Sequence, residues 1–283
     1  MRYCFALLTL AASLWGAAPD LEKARKLYNL TEFDQSLQIL QSAPAKDAAV
    51  YALMGRNYYM LGDHKHATDA LEHAVAADPS NAEYCLWLAR AYGRRAETSS
   101  PFTAPGQAFK ARQYFEKSVA LDPHNVEALS DLFEYYLEAP GFLGGGMDKA
   151  HAMVPRIAAI SPAEGYWAES RIAEKRKEYG DAEAQLRRAI DAAPQKIGKL
   201  IELARFLAGQ GRIQEADQSL ARAEALAPGT PRLMYARADL YIHTGRNRDQ
   251  ARQLLQRYLA CKLTPDDPPR ADALKLLKQV QGS

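Results

Sequence analysis

The sequence lacks an excess of charge of either sign: 36 lysines and arginines stand against 34 aspartates and glutamates, which leaves a formal net charge of +2. This balance argues against a nucleic-acid-binding protein, which normally carries a clear basic excess or a basic stripe. With 48% hydrophobic and 25% charged residues, the composition is that of a globular protein rather than a disordered one. We therefore expect a folded protein whose partner is not a nucleic acid.

Long hydrophobic runs are also lacking, with one exception at the N-terminus. A positively charged start is followed by a nearly apolar stretch over 3–14 and by small residues at 16–18. This layout is typical of a secretory signal peptide, and it is too short for a membrane span of about 20 apolar residues. We expect residues 1–18 to be removed after Ala18, without a lipidated Cys4, which places a soluble protein in the periplasm or outside the cell. The alternative is an uncleaved N-terminal anchor.

Recognisable catalytic and metal-binding motifs are lacking as well. The glycines at 144–146 superficially suggest a phosphate-binding loop, but the Gly-Lys-Ser/Thr of a Walker motif does not follow them. His64, His66 and His73 have no further ligand at metal-binding spacing. No Ser/His/Asp or Cys/His arrangement has a recognisable local context. We predict that the protein is not an enzyme and has neither a metal site nor a cofactor.

What the sequence does contain is a pattern that returns about every 34 residues. The spacing small–x3–large–x2–small–x4–proline occurs five times and ends at Pro79, Pro123, Pro162, Pro194 and Pro228. Before most copies, apolar residues at i, i+3, i+4 and i+7 define one face of a helix, as at Tyr51, Met54, Gly55 and Tyr58. A fixed period of this length indicates a helical repeat array.

The pattern resembles that of the tetratricopeptide repeat family, which has a bulky residue, Leu-Gly and Tyr, then Ala, Phe, Ala and Pro. Residues 48–81 match it nearly in full, and residues 197–230 match almost as well. The resemblance implies an all-α, right-handed solenoid of about six to seven helix-turn-helix units. We expect a degenerate first repeat at 19–46 and a regular array at 47–265.

Three further expectations follow from this register. Segment 163–196 departs most from the pattern, with Lys177 where a turn glycine is usual, so its first helix is expected to be shifted. Residues 266–283 are expected to form a capping helix over the final unit. Its apolar face would consist of Ala271, Leu274, Leu277 and Val280. Because a solenoid keeps Cys85 and Cys261 far apart, we expect two free thiols.

Two consecutive units are longer than the period, by about ten and about five residues. We predict inserted loops at 94–106 and 139–146, each with a Pro-Gly pair and one aromatic ring, Phe102 or Phe142. Because the units are consecutive, the loops should emerge side by side on one edge of the array. Insertions in repeat proteins collect on one face, which is often the binding face. Phe102 and Phe142 are therefore candidate contact residues.

In the family that the sequence resembles, the first helices line a concave surface that binds ligands. The residue after each central small position forms a row along this surface: Arg56, Arg90, Glu134, Arg171, Arg205 and Asp239. Arginine suits carboxylates and aromatic rings. Tyr59, Trp167 and Tyr235 fall nearby and are typical interface anchors. The alternative is that the arginines pair with neighbouring acids, such as Glu83, Glu134 or Glu174, and only solvate the groove.

The sequence thus predicts a non-catalytic protein–protein interaction scaffold of the bacterial envelope that binds a peptide or protein in its concave groove. Two alternatives stay open. One is a small-ligand or glycan-binding protein, in which Trp167 and Phe142 would stack on the ligand. The other is a self-assembling structural module. The pattern specifies neither the partner nor the oligomeric state.

Overall fold

The structure, a computed structural model, describes residues 17–282, and every regular element in that range is helical. The α-helices are α1 (Ala17–Asn29), α2 (Phe33–Ser42), α3 (Ala48–Met60), α4 (His64–Ala77), α5 (Ala82–Thr98), α6 (Ala104–Leu121), α7 (Val126–Glu138), α8 (Met147–Ile160), α9 (Pro162–Lys175), α10 (Tyr179–Ala192), α11 (Ile197–Gly209), α12 (Ile213–Leu226), α13 (Pro231–His243), α14 (Arg248–Ala260) and α15 (Arg270–Gln281). One 3₁₀ helix (Gly141–Leu143) lies between α7 and α8. Residues 1–16, which hold most of the predicted signal peptide, lie outside the described residues.

The α-helices pack as consecutive pairs. Each helix from α1 to α14 packs against its neighbours in the chain, and α15 packs on α14 and α13. Helices two apart, such as α3 and α5 or α7 and α9, also touch, so that each pair stacks on the next. This arrangement is an all-α helical repeat solenoid and confirms the predicted fold class.

Small residues of the repeat pattern allow the paired helices to approach closely. The first small position is fully buried in six second helices, at Ala67, Ala111, Ala150, Ala182, Ala216 and Ala251. An added Cβ on Gly55 of α3 would lie 2.4 Å from Leu71 Cγ of α4, so this contact requires glycine unless the side chains repack. Three turns within pairs use left-handed backbone at Gly62, Gly211 and Gly245, with φ of 80°, 74° and 66°.

The α9–α10 unit is shifted, as the sequence predicts. α9 begins at Pro162 itself, whereas α5, α7, α11 and α13 begin three residues after the corresponding proline, as at Ala82 after Pro79. Only Ser161 separates α8 from α9, and its side chain caps the N-terminus of α9. Lys177 has a φ of 63° and takes the left-handed turn position that glycine fills in three other units.

The prediction of an inserted loop over 94–106 is wrong in its extent. α5 and α6 leave only residues 99–103 between them. The extra residues lengthen the two helices to 17 and 18 residues, compared with 14 in α4. The segment 94–97 consists of good helix formers. Pro105 lies in the first turn of α6, where a missing backbone N–H costs nothing.

The second predicted insertion, 139–146, is a connection without an α-helix. It is ordered by its own contacts, since the Tyr135 hydroxyl donates to the Leu143 carbonyl at 2.9 Å. Gly144, with a φ of 85°, lies so close to Arg112 of α6 that an added Cβ would overlap the guanidinium. The second connection therefore rests on α6, the helix that follows the first connection.

α15 packs on the last pair with a face that differs from the predicted one. Ala273 and Leu276 are buried, whereas Leu274 is 48% exposed, so the predicted face is wrong at that position. The other predicted apolar residues, Leu277 and Val280, are partly buried against the same core. The rotation of α15 is fixed at its start, because the Arg270 guanidinium donates hydrogen bonds to carbonyls at the end of α14.

The two cysteines of the described chain are free thiols, as the sequence predicts. Cys85 is buried in α5, and this burial raises the pKa of its thiol. Cys261 follows α14 and is partly exposed. Neither of them forms a disulfide.

Candidate interaction groove

The predicted row of charged residues lies on the first helices of successive units, and its arginines carry ion pairs. Arg56 on α3 lies 2.7 Å from Glu83 on α5, measured from Nη1 to Oε1. Its guanidinium also lies 4.8 Å from the ring centroids of both Tyr28 and Trp87. The contact with Glu83 is one of the ion pairs that the alternative interpretation of the row named.

Arg90 and Arg171 are paired more fully. Arg90 Nε lies 2.5 Å from Asp131 Oδ2, and its Nη2 lies 3.2 Å from Glu127 Oε2. Arg171 contacts Glu134 and Glu174, as that interpretation also named, at 2.9 and 2.7 Å. These two guanidiniums tie successive first helices together and have little capacity left for a ligand.

Arg205 differs from the other arginines of the row. Its Nη2 lies 3.6 Å from Asp239 Oδ2, and half of its side chain is exposed. Asp239 also contacts the His243 ring, at 3.1 Å between Oδ1 and Nδ1. Arg205 is therefore the member of the row with the loosest ion pair.

The three predicted aromatic anchors have different environments. Trp167 lies 5.7 Å from the Phe133 ring, with the Lys199 ammonium 5.1 Å from its own ring, and it packs partly into the core. Tyr59 lies edge-on to Trp87 with ring centroids 5.4 Å apart. Trp87 is absent from the sequence-based row, although it stands one helical turn before Arg90 and so shares its face.

The segment between α14 and α15 lies on the concave side, and we call residues 264–269 the strap. The side chain of the preceding Leu263 is buried. The Thr264 backbone N–H donates to Asp267 Oδ2 at 2.8 Å. The Tyr258 hydroxyl of α14 donates to the Pro268 carbonyl. The strap is therefore anchored to its own end of the array.

Two clefts flank the strap, one between the strap and the N-terminal helices and one between the strap and the C-terminal helices. The N-terminal cleft, of about 360 Å³, is lined by Tyr59, Trp87 and Arg94 of α3 and α5 together with Pro265 and Pro269 of the strap. The C-terminal cleft, of about 220 Å³, is lined by Arg205, Arg232 and Tyr235 of α11 and α13 together with Asp266 and Pro268. Arg205, Tyr59 and Tyr235 were predicted from the sequence as groove residues, whereas the strap was not.

The start of α15 lies against the second and third helical pairs, near the other end of the array. Arg94 Nη2 of α5 lies 3.9 Å from Asp272 Oδ1 of α15. A Cβ on Gly62, in the α3–α4 turn, would lie 3.9 Å from Ala271 Cβ. The solenoid therefore closes into a ring at this point, with the strap on the inner side of the contact.

Electrostatic interactions cross the closed ring. Burial raises the pKa of Tyr235 to about 12, and the charges of Asp239 and Asp272 add to this shift. Arg205 and Arg94 act in the opposite direction. Charges from α5 and α15 therefore act on the same hydroxyl of α13. In the N-terminal cleft, burial lowers the pKa of His64, and Arg94 adds to that effect.

The two connections carry the most exposed rings among the large hydrophobic residues of the described chain. Phe102 is 97% exposed and Phe142 is 81% exposed. Phe109 on α6 is 44% exposed, with the Arg112 guanidinium 4.9 Å from its ring centroid. α6 thus carries one exposed ring of its own, beside the connection that holds Phe142.

The described residues hold neither a membrane-spanning helix nor a cluster of metal ligands. Within 17–282, no helix is long and apolar enough to cross a membrane. In the same part of the chain, no group of three or more His, Cys, Asp or Glu side chains is placed to hold a metal ion. His66 instead lies 2.7 Å from Asp63, measured from Nδ1 to Oδ2, in the α3–α4 turn.

The fold and the groove together define an α-solenoid built from repeated helical pairs. Residues 48–81 and residues 201–268 each match the tetratricopeptide repeat. No curated protein matches the chain. The chain therefore carries tetratricopeptide repeats, and proteins built from this repeat are in general non-catalytic scaffolds for protein–protein interaction.

Solved structures with the same fold carry the same repeat. A thermophilic TPR protein in Thermus thermophilus is 20% identical over 68% of this chain and 99% of that one, with a TM-score of 0.55. A tetratricopeptide repeat protein from Parabacteroides merdae is 15% identical over 93% of this chain and 98% of that one, with a TM-score of 0.58. Identities this low indicate a shared fold and nothing beyond it.

Proposed function

We propose that this protein is a non-catalytic interaction scaffold, exported to the bacterial envelope, that binds a peptide or protein segment on its concave face. The observation that carries the proposal is the composition of the two clefts, in which aromatic rings stand beside arginines. Tyrosine, tryptophan and arginine are the residues most enriched at the energetic centres of protein interfaces. The predicted fold alone would not give this composition.

The two connections supply a second contact surface. Phe102 and Phe142 are almost fully exposed, and large exposed apolar rings commonly mark interaction sites. The glycan-binding alternative needed Trp167 and Phe142 to stack on one ligand. Trp167 packs between Phe133 and Lys199 instead, so the arrangement favours a protein partner.

In-cell crosslinking followed by mass spectrometry tests the scaffold. The full-length tagged protein is compared with Arg94→Glu, Arg205→Glu and, as a matched control on the exposed face of α12, Arg222→Glu. We expect one partner to be captured by the parent and the control and lost from both groove variants. Capture of the same partner by all four proteins would contradict groove binding, and the absence of any specific partner would contradict the scaffold itself.

The contribution of the connections is tested in the same cells. The variants Phe102→Ser and Phe142→Ser replace exposed rings without shortening a helix, whereas deletion of the whole segment 94–106 would remove parts of α5 and α6. Loss of the partner from these variants supports the second surface. Unchanged capture contradicts it and leaves the groove as the binding site.

Export is tested separately. We expect a reporter that is active only outside the cytoplasm to become active when it is fused after residue 30, and to stay inactive when residues 1–18 are deleted from the fusion. Activity that does not depend on 1–18 would contradict a role for this segment in export. Fractionation of the cells then distinguishes the periplasm from the medium.

A further inference from the structure

We propose that the N-terminal cleft recognises an acidic, proline-containing peptide segment, and that the strap, which lines this cleft, is an intramolecular competitor that a partner of this chemistry displaces. This inference rests on the proposed function and adds the chemistry of the partner and a competitor built into the chain. It concerns the cleft formed by Tyr59, Trp87 and Arg94.

Charge complementarity is the first observation. The array side of the N-terminal cleft contributes Arg90, Arg94 and His64. Arg90 is held by Asp131 and Glu127, and burial lowers the pKa of His64, so Arg94 is the cation that faces the strap side. The opposite wall contributes Asp267 from the strap and Asp272 from α15. Arg94, which also lies 2.8 Å from Glu97 of its own helix, therefore faces two aspartates across the cleft.

The prolines of the strap are the second observation. Pro265 and Pro269 line the same cleft as Tyr59 and Trp87, whose rings stand edge to face. The strap is a turn, in which the Asp267 N–H donates to the Thr264 carbonyl at 3.0 Å. Because proline fixes part of the backbone in advance, such a segment loses less conformational entropy when it binds an aromatic surface. The cleft therefore presents the surface that such a segment requires.

The strap is held unequally on its two sides. Its hydrogen bonds to Tyr258 and the buried Leu263 attach it to α14. Toward the N-terminal cleft, the ion pair between Arg94 and Asp272 spans 3.9 Å and both side chains are about 40% exposed. Exposed ion pairs of this length are weak and are screened by salt. The ring can thus open on this side while the strap keeps its anchors.

The test uses a disulfide that locks the ring. The 3.9 Å separation of the Cβ positions at Gly62 and Ala271 falls within the range of disulfides. The variant Gly62→Cys/Ala271→Cys is made in the full-length chain together with Cys261→Ser, so that the buried thiol of Cys85 is the one native thiol left in the described part of the chain. The matched control carries serine at positions 62 and 271.

The probe is a labelled synthetic peptide with the sequence of residues 262–272, and binding is measured by fluorescence anisotropy. A tethered occupant acts at an effective concentration of order millimolar, so a free copy with an intrinsic Kd of about 0.1 mM binds about tenfold more weakly while the strap is in place. We expect the oxidised variant to bind at least about tenfold more weakly than its reduced form, and the serine control to show no redox dependence.

A second variant keeps the test independent of the strained position at Gly62. Asp272→Asn removes the ion pair with Arg94 and should tighten peptide binding by about two- to tenfold. A control peptide with asparagine for aspartate and serine for proline should bind neither variant. Equal binding by oxidised and reduced protein, or equal binding of the two peptides, would overturn the inference, as would failure of the cysteines to pair in folded protein.

These outcomes are separable from those of the proposed function. If the peptide does not bind Asp272→Asn but cells still yield a partner that Arg94→Glu loses, the strap inference is wrong and the scaffold stands. If the peptide binds as expected but no cellular partner is captured, the cleft chemistry stands and the scaffold role is wrong.

Discussion

Replacement of Lys177 by glycine should stabilise the protein. Lys177 has a φ of 63°, and its N–H donates to the Glu174 carbonyl at 2.9 Å, the same i to i−3 pattern that Gly211 makes at 2.9 Å. The two turns thus share one backbone geometry and differ in the side chain. Left-handed backbone costs a residue with a Cβ about 1–2 kcal/mol. Glycine makes the unfolded chain more flexible, and the entropy lost on folding offsets about 0.5–1 kcal/mol of that gain. The net gain is about 0.5–1 kcal/mol.

The assay is thermal and urea unfolding followed by circular dichroism, with hydrogen exchange of the α9–α10 turn as a local readout. For a chain of this size the gain corresponds to a rise in the midpoint of about 1–4 °C. The reciprocal variant Gly211→Lys should lose a similar amount, because an added Cβ there meets no atom within 4 Å and only the backbone cost remains. No change in either variant would refute the assignment of strain to these turns.

Three further predictions concern packing, pH and thiol access. Gly165→Ala places a Cβ 2.5 Å from a side-chain carbon of α8 and should lower stability to urea by about 1–3 kcal/mol, whereas Gly93→Ala, with open space around it, should raise it by about 0.5–1 kcal/mol. Hydrogen bonds from two arginines hold the pKa of Glu183 below its usual range, so its stabilisation is present near neutrality and lost as the pH falls below about 4. Glu183→Gln should therefore reduce stability at pH 7, and its difference from the parent in urea unfolding should shrink as the pH is lowered from 7 to 3. A thiol reagent should modify Cys261 in the folded protein and Cys85 only after unfolding.

The helical pairs could be predicted because the period records direct contacts. Buried alanines and close glycines recur where helices touch, so the register of the sequence is the register of the packing. The conformation of the inserted segment 94–106 could not be predicted from the period. Counting residues beyond the period cannot distinguish a loop from two longer helices. The residues at 94–97 favour a helix, and Gly93 lies within α5 without a turn conformation that would end it.

The sequence predicts on which helices the charged row lies, but not which contacts its side chains make. The projection onto first helices correctly located Arg56, Arg90 and Arg171, and each one contacts acidic residues of neighbouring helices. Which acid meets which arginine depends on the rotation between units, and a pattern along one chain does not contain that rotation. Trp87 could have been predicted as a groove residue, because it shares a helical face with Arg90.

The position of the strap in the groove could not be predicted from the sequence for a different reason. A sequence such as Pro265 to Pro269 is typical of an ordinary polar connection. It resembles a ligand only because, in the folded chain, it faces the aromatic rings and the arginine of the N-terminal cleft. Small rotations accumulate from unit to unit, and between the second helical pair and α15 they bring Ala271 to the turn at Gly62, far away in the sequence. Any change that alters the curvature of the array, including the binding of a partner to the connections that carry Phe102 and Phe142, would alter the contact between Arg94 and Asp272 as well. Binding at the two surfaces should therefore be coupled, and the serine variants of Phe102 and Phe142 should leave peptide affinity unchanged until the partner is present.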